Sequence, residues 1–484
     1  MARKPATERR DEVKTGTGKE PAFAYRPLPG VADEMVDNTG AVRPVWQNFL
    51  SALTRMSEEE LTERFARADR YLRDAGVFYR AYGTTGVSER GWPISHIPVL
   101  IDEREWQALS EGLQQRADLL ESIIADIYGD SRLVSEGLLP PALIAANPEF
   151  LRPLVGVKPA NGHYLHFLAF EIGRGPDGNW WVLADRAQAP SGAGFALETR
   201  VATTRAFSDI YAETKVHRLA SFFGAFRDAL LGGKRGGEGR VAVLTPGPAN
   251  ETYYEHAYIA RYLGFMLLEG EDITVVNDQL MVRTVAGLRP ISVLWRRLDA
   301  AYADPLELNQ QSHIGTPGLV EALRAQTVTI VNALGSGILE TRALLAFMPT
   351  ICRHLRGEEL KLPSIATWWC GQKSEREHVA ANIEKMVIGP AYSRMPFFDD
   401  SGQSVLGSTL RSTARDSIAD WLATEGQKLV GQEVVTLSTT PAWVNGKLTP
   451  RPMSLRVFAA RTENGWRIMP GGFARIGSGD DVAA

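Results

Sequence analysis

Two adjacent arginines, Arg296 and Arg297, stand directly after the apolar run 291–295, and Asp299 follows two residues on. A second apolar run, 327–331, is followed by 332–337 (NALGSG), and a third, 240–244, by 245–251 (TPGPANE). If the three runs are strands of an open α/β sheet, ligands belong beyond their carboxyl ends. One edge then gathers a guanidinium pair, a carboxylate and a strand-to-helix turn containing Asn332, Gly335 and Gly337. Backbone amides at a helix start together with guanidinium groups suit phosphate or carboxylate. Read singly, each feature is ordinary. NALGSG matches neither the P-loop nor the dinucleotide pattern, and Arg296, Arg297 and Asp299 also suit a structural ion pair. Their convergence is what makes an anion site a candidate.

Other reactive residue types carry less. His163 and His166 are three apart, which on a strand places them on opposite faces and argues against a metal pair. Cys370 sits in the apolar context WWC, the setting of a buried, inert thiol. The run GGKRGG at 232–237 reads as a solvated linker.

The elements that must position these residues follow from periodicity. Residues 22–150 read as mainly helical. Trp106, Leu109, Leu113, Leu120, Ile123, Ile124 and Ile127 share one helical face, with Asp102 placed to cap it. Residues 151–232 begin with two aromatic-rich strands, 163–170 and 180–183, joined by a turn at 173–178, and end on a helix at 216–231. From 240 to 363 the rhythm is β-α-β, with strands at 240–244, 273–276, 291–295 and 327–331 and a helix at 251–262, which predicts a mainly parallel sheet with helices on both faces. Residues 364–477 mix a helix at 408–429, capped by Ser408, with strands at 434–437 and 454–458. The ends, 1–21 and 478–484, read as a disordered tail and a frayed one.

A chain of 484 residues calls for two to four domains. Its apolar fraction of 44%, charged fraction of 23% and net charge of −4 fit a soluble globular protein and offer no basic field for nucleic acid. No apolar run is long enough to cross a bilayer, and residues 1–20 lack the apolar core of a secretory signal. Two cysteines, Cys352 and Cys370, suit a reducing compartment, and the expected location is the cytoplasm.

Several segments together carry a family pattern: 126–129 (DIYG), 134–140 (VSEGLLP), 181–192 (WVLADRAQAPSG), 255–264 (EHAYIARYLG), 268–270 (LEG), 296–299 with 304–305, 332–337, 432–433, 437–438 and 470–473. In this order and spacing the chain, from about residue 25 to 477, resembles the circularly permuted type 2 ATP-grasp family, similar in fold to glutathionylspermidine synthetase. The resemblance implies an α/β fold with two ATP-grasp parts (151–232 and 364–477) around a central domain (240–363). It implies an activity in which ATP and Mg²⁺ activate a small-molecule or peptide carboxylate as an acyl phosphate that an amine then captures. It also implies an α-helical alpha-E partner domain, which some members carry as a C-terminal fusion; this chain stops where such a fusion would continue.

The resemblance further assigns residues. Arg296, Arg297 and Asp299 take catalytic roles. Arg174, Asp185, Arg186, Ser191, Gly192, Asn332, Gly335, Gly337, Gln432 and Glu433 line the ATP and substrate cleft, and Glu171 with Asp185 forms the metal shell. Three departures accompany it. Where the family reads Val-Leu-Glu-Asp-Asn, this chain has Ala184 and Arg186 around Asp185, and where the family places a phosphate-contacting lysine it has Gly389. One metal carboxylate is lost and one ligand is replaced by a cation. Ligand number and charge set divalent-cation affinity, so metal binding is expected to weaken and ligation to be slow or absent.

Overall fold

The computed structural model describes residues 25–83, 86–233, 239–394, 405–406 and 415–477. The expected tail at 1–21, residues 22–24 of the N-terminal region, residues 234–238 of the linker, the proposed cap Ser408 and the end at 478–484 lie outside the described residues.

The helix expected around Leu109 and Ile123 runs from Glu103 to Ile127. The Asp102 carboxylate caps it by accepting the Arg104 amide at 2.9 Å. Leu109, Leu113, Leu120, Ile123, Ile124 and Ile127 are buried on one face, and so is the charged Arg116. Each large apolar side chain removed from water contributes about 1.5–3 kcal/mol, so this stripe anchors the helix behind the sheet that carries the site. Helices Pro44–Leu53 and Glu58–Asp74 precede it, and the hairpin Phe78–Gly83/Gly86–Gly91 interrupts the otherwise helical region.

Three sheets organise the remainder. The first is antiparallel, with strands in the order Thr439–Val444, Lys447–Thr462, Phe167–Arg174 and Trp180–Arg186, and with Gly465–Ile476 also pairing Lys447–Thr462. Leu455 lies opposite Ile172 and Arg456 opposite Glu171, so one sheet is built from two distant stretches of chain. The hairpin expected at 163–183 forms around a 175–178 turn, but its first strand starts at Phe167, leaving His163 and His166 in the preceding loop, and its second runs on to Arg186.

The second sheet has the order Met266–Leu268, Arg240–Leu244, Gly287–Arg296, Gln279–Thr284 and Ile273–Val276, with Thr329–Val331 beside Gly287–Arg296. Its pairings among Met266–Leu268, Arg240–Leu244, Gly287–Arg296 and Thr329–Val331 are parallel. The meander through Gln279–Thr284 is antiparallel, because tight turns at Asn277–Asp278 and 285–286 reverse the chain without a crossover helix. Phe167, Phe222, Phe226, Trp295 and Phe458 interlock between the first two sheets, with ring centroids 5.0–6.2 Å apart.

The third sheet, Thr367–Trp369, Leu429–Glu433, Met386–Pro390 and Val405–Leu406, joins the edge of the first. Val182 exchanges backbone hydrogen bonds with Pro363 and Ile365 at 2.8 and 2.9 Å. The strand expected at 434–437 is instead the connection between Leu429–Glu433 and Thr439–Val444. The helix expected at 408–429 is seen as Arg415–Glu425. Among the described residues no helix is long and apolar enough to cross a membrane.

Candidate functional site

Strand parity decides what each side chain on the first sheet can reach. Glu171 pairs with Ala184 on one side and Arg456 on the other, and Arg186 lies two residues along from Ala184. Glu171, Ala184, Arg186 and Arg456 therefore share one face. Asp185 pairs with Phe170 and points to the opposite face. There it meets Arg116, whose Nε and Nη2 donate to its two oxygens at 2.6 and 2.8 Å, with both side chains 1% exposed. The structure thus does not bring Glu171 and Asp185 together.

Glu171 is instead surrounded by guanidinium groups. Arg456 donates to Oε1 from Nε at 3.1 Å and also from Nη2, Arg186 Nε stands 3.5 Å away and Arg475 Nη1 3.8 Å away. Burial would raise its carboxyl pKa, but Arg456, Arg475 and Arg186 outweigh burial and hold it below the usual carboxylate range. Magnesium requires several oxygen ligands in octahedral array. Both Asp185 oxygens are taken by Arg116, Glu171 Oε1 is held by Arg456 with Arg186 and Arg475 near it, and the described residues contain no group of three His, Cys, Asp or Glu side chains able to hold a metal ion. The residues present do not fit a magnesium centre.

A second charged group lies alongside. Arg394, just after Met386–Pro390, donates to Asp299 at 3.0 Å and pairs with Glu149 at 2.8 Å, while Glu340 stands 3.9 Å from both Arg394 and Arg186. Arg186 also donates to the Arg394 carbonyl. Glu340 accepts the amides of Ala187 and Gln188 at 2.7 and 2.5 Å. Burial raises the Glu149 carboxyl, with Arg394 pulling the other way.

The remaining expected residues divide. The side chains of Arg296 and Arg297 diverge. Arg296 is fully buried and donates to the carbonyls of Asn332, Leu298 and Ala333 and to Ser336 Oγ at 2.8–3.2 Å, so it braces the NALGSG turn from inside. Burial lowers it to about 10, which leaves it cationic at neutral pH. Asn332 is likewise spent: its amide accepts from His166 N and Phe167 N and donates to the carbonyls of Phe167 and Ala187, all within 2.9 Å. The turn opens a helix as expected, a five-residue 3₁₀ helix, Ser336–Glu340.

Arg297 donates to the Pro190 carbonyl at 2.8 Å and stands 3.7 Å from Glu255, a carboxylate that accepts the Gly192 and Gly194 amides at the start of helix Ala193–Ala206. Ser191 offers its carbonyl to Arg456 at 2.8 Å. Arg174 lies at the far end of its strand, locked to Glu34 and Glu105, and takes no part in the cluster. Gln432 donates to Thr367 Oγ1 at 2.7 Å inside the third sheet, and Glu433 beside it is exposed. Gly389 is buried opposite Val430. Asp299 is the member of the Arg296–Asp299 segment that reaches the charged group.

Sequence reasoning missed Arg394, Arg456, Glu149 and Glu340. Arg456 had a legible signal, a lone arginine inside the apolar strand LRVFAA, and so did Glu340 inside GILETRALL. Arg394 and Glu149 had none, since only the fold brings them together. Cys370 is buried, and burial pushes its thiol up to about 11.

Residues 98–477 match the family described as circularly permuted ATP-grasp type 2, and the chain belongs to that family. By family and fold it is an ATP-grasp protein. An uncharacterized protein of Mycobacterium tuberculosis is 34% identical over 96% of this chain and 53% of the relative, and one of Mycobacterium leprae is 32% identical over 92% and 78%. The chain spans about half the length of the Mycobacterium tuberculosis relative. A glutathione synthetase-like effector from Globodera pallida, in its apo form, superposes with a TM-score of 0.58 at 12% identity, over 87% of this chain and 95% of the effector, which speaks to fold alone.

Proposed function

We propose that this chain is a catalytically impaired ATP-grasp homologue that binds a nucleotide or peptide ligand in its cleft and works as a partner of an alpha-E domain or of an active paralogue. One observation carries the reading: both carboxylates the family pattern offers to magnesium are engaged by arginines, Glu171 by Arg456 with Arg186 and Arg475 close by, and Asp185 by Arg116. Phosphoryl transfer in this chemistry depends on a metal that bridges and neutralises the phosphates. A cleft whose acids are already neutralised by guanidinium groups retains affinity for anions and loses the means of turnover.

The second reading is an active ATP-dependent carboxylate–amine ligase working through an acyl phosphate. Family membership and the likeness to a glutathione synthetase-like effector favour it. ADP release separates the two. The chain is incubated with ATP, Mg²⁺ and mixed amino acids and amines; the expected result is no ADP above the ATP-only control. Sustained, amine-dependent ADP release establishes the second reading and removes the first.

A further inference from the structure

We infer that Arg186, Arg456 and Arg475 form a metal-free receptor for a polyphosphate chain, with guanidinium groups taking the place of a divalent cation. The inference rests on the proposal that this cleft binds a nucleotide and goes further by naming how the phosphates are held. Three guanidinium groups stand on or near one carboxylate, Glu171. Arg186 is only 11% exposed, yet its Nε is buried without a hydrogen-bond partner. Its other near carboxylate, Glu340, stands 3.9 Å away and spends its Oε1 on the amides of Ala187 and Gln188.

Guanidinium forks match phosphate oxygens in pairs. Asymmetric placement helps here. Arg475 is 44% exposed and stands at the open side, whereas Arg456 is braced by Ser191 from behind. A phosphate chain lying over Ala184 would meet Arg186 and Arg475 without displacing Arg456 from Glu171. Ala184 pairs directly with Glu171 and brings no charge to the shared face, so no carboxylate stands opposite Glu171 on that strand. A dication arriving at the same place meets three positive groups against Glu171, already neutralised, and Glu340, shared with Arg394, so like-charge repulsion works against it.

The test is calorimetric titration of the full chain with inorganic tripolyphosphate and with ATP, in excess EDTA and again in excess Mg²⁺. Both are expected to bind in EDTA with affinity no weaker than in Mg²⁺. Arg186→Gln and, separately, the half-exposed Arg475→Gln are each expected to weaken metal-free binding roughly tenfold or more, the usual effect of losing a charge-assisted contact. Arg475→Gln keeps the test decisive should Arg186→Gln fail to fold. The double variant Ala184→Glu with Arg186→Asn should bind ATP only with Mg²⁺. ATP binding by the unmodified chain only when Mg²⁺ is present overturns the inference and leaves the nucleotide reading standing. Tripolyphosphate binding in EDTA without ATP binding upholds the receptor and removes the nucleotide. Failure of both ligands in both buffers removes both.

Discussion

Arg116→Met is the perturbation that best separates a structural from a metal-binding Asp185. Arg116 lies within the 25-residue helix Glu103–Ile127, and its fork meets both oxygens of Asp185 at 2.6 and 2.8 Å while Nη1 donates to Ser364 Oγ at 3.0 Å. Both side chains are 1% exposed, so water cannot replace the lost partner. Removing one member of a buried, hydrogen-bonded pair leaves an uncompensated charge and costs about 3–5 kcal/mol. Replacing both members by apolar residues, Arg116→Met with Asp185→Leu, removes the desolvation penalty along with the attraction and is expected to recover most of that loss. Urea denaturation followed by tryptophan fluorescence measures each variant, and the double-mutant cycle isolates the pair from the helix propensity of methionine. Asp185→Asn completes the set: it should lower stability and leave the metal dependence of ATP binding unchanged. If Asp185→Asn leaves the denaturation midpoint alone and abolishes Mg²⁺-dependent binding, the residue is a metal ligand and the argument from strand parity fails.

Two further outcomes are expected. Gly335 has φ +86° and a Cβ there would lie 2.1 Å from the Tyr128 hydroxyl, so Gly335→Ala should lose about 2–4 kcal/mol through backbone strain and a clash with a buried ring, read as a lower thermal midpoint. Burial lowers the His166 imidazole from 6.5 to about 4, so the folded state favours the neutral ring. The stability this provides is complete above pH 6.5 and drains away as pH falls toward 4, by up to about 3 kcal/mol; His166→Gln should flatten that part of the pH–stability curve, and an unchanged slope between pH 6.5 and 4 would contradict the burial argument.

How much of this was legible in the sequence differs by element. Arg240–Leu244 and Ile273–Val276 fall where their apolar runs end, and Glu103–Ile127 falls where a capping aspartate and a helical stripe place it. The pairing of Phe167–Arg174 with Lys447–Thr462 is different in kind. No local pattern encodes which distant strands become neighbours, and the family pattern gave the two ATP-grasp parts without naming the strands that pair. The meander of Gln279–Thr284 escaped notice because LMVRT carries no strict alternation and sits inside a β-α-β rhythm. Among the candidate site residues, Arg296 and Asn332 have the right types at the right edge, but a buried guanidinium and a buried amide must satisfy their own donors. Arg296 donates to the carbonyls of Leu298, Asn332 and Ala333, and Asn332 to those of Phe167 and Ala187.

The metal shell turns on parity. Successive strand residues face opposite sides, so in Val182–Arg186 the side chains of 184 and 186 form one set and that of 185 belongs to the other. Residue 185 as an acid therefore says nothing of the face that Glu171 occupies, whereas Ala184 and Arg186 define it. Once 186 carries a guanidinium, its nearest countercharge is the carboxylate diagonally across the hairpin, 3.5 Å away, and Arg456, directly opposite Glu171 on the other strand, completes the neutralisation. On the metal-free reading, residues 184 and 186 on one face set the kind of ion attracted there, with the sheet, the helix behind it and the Asp185–Arg116 pair untouched. On the proposed reading, the chain keeps the family fold across residues 98–477 while this face forgoes metal chemistry.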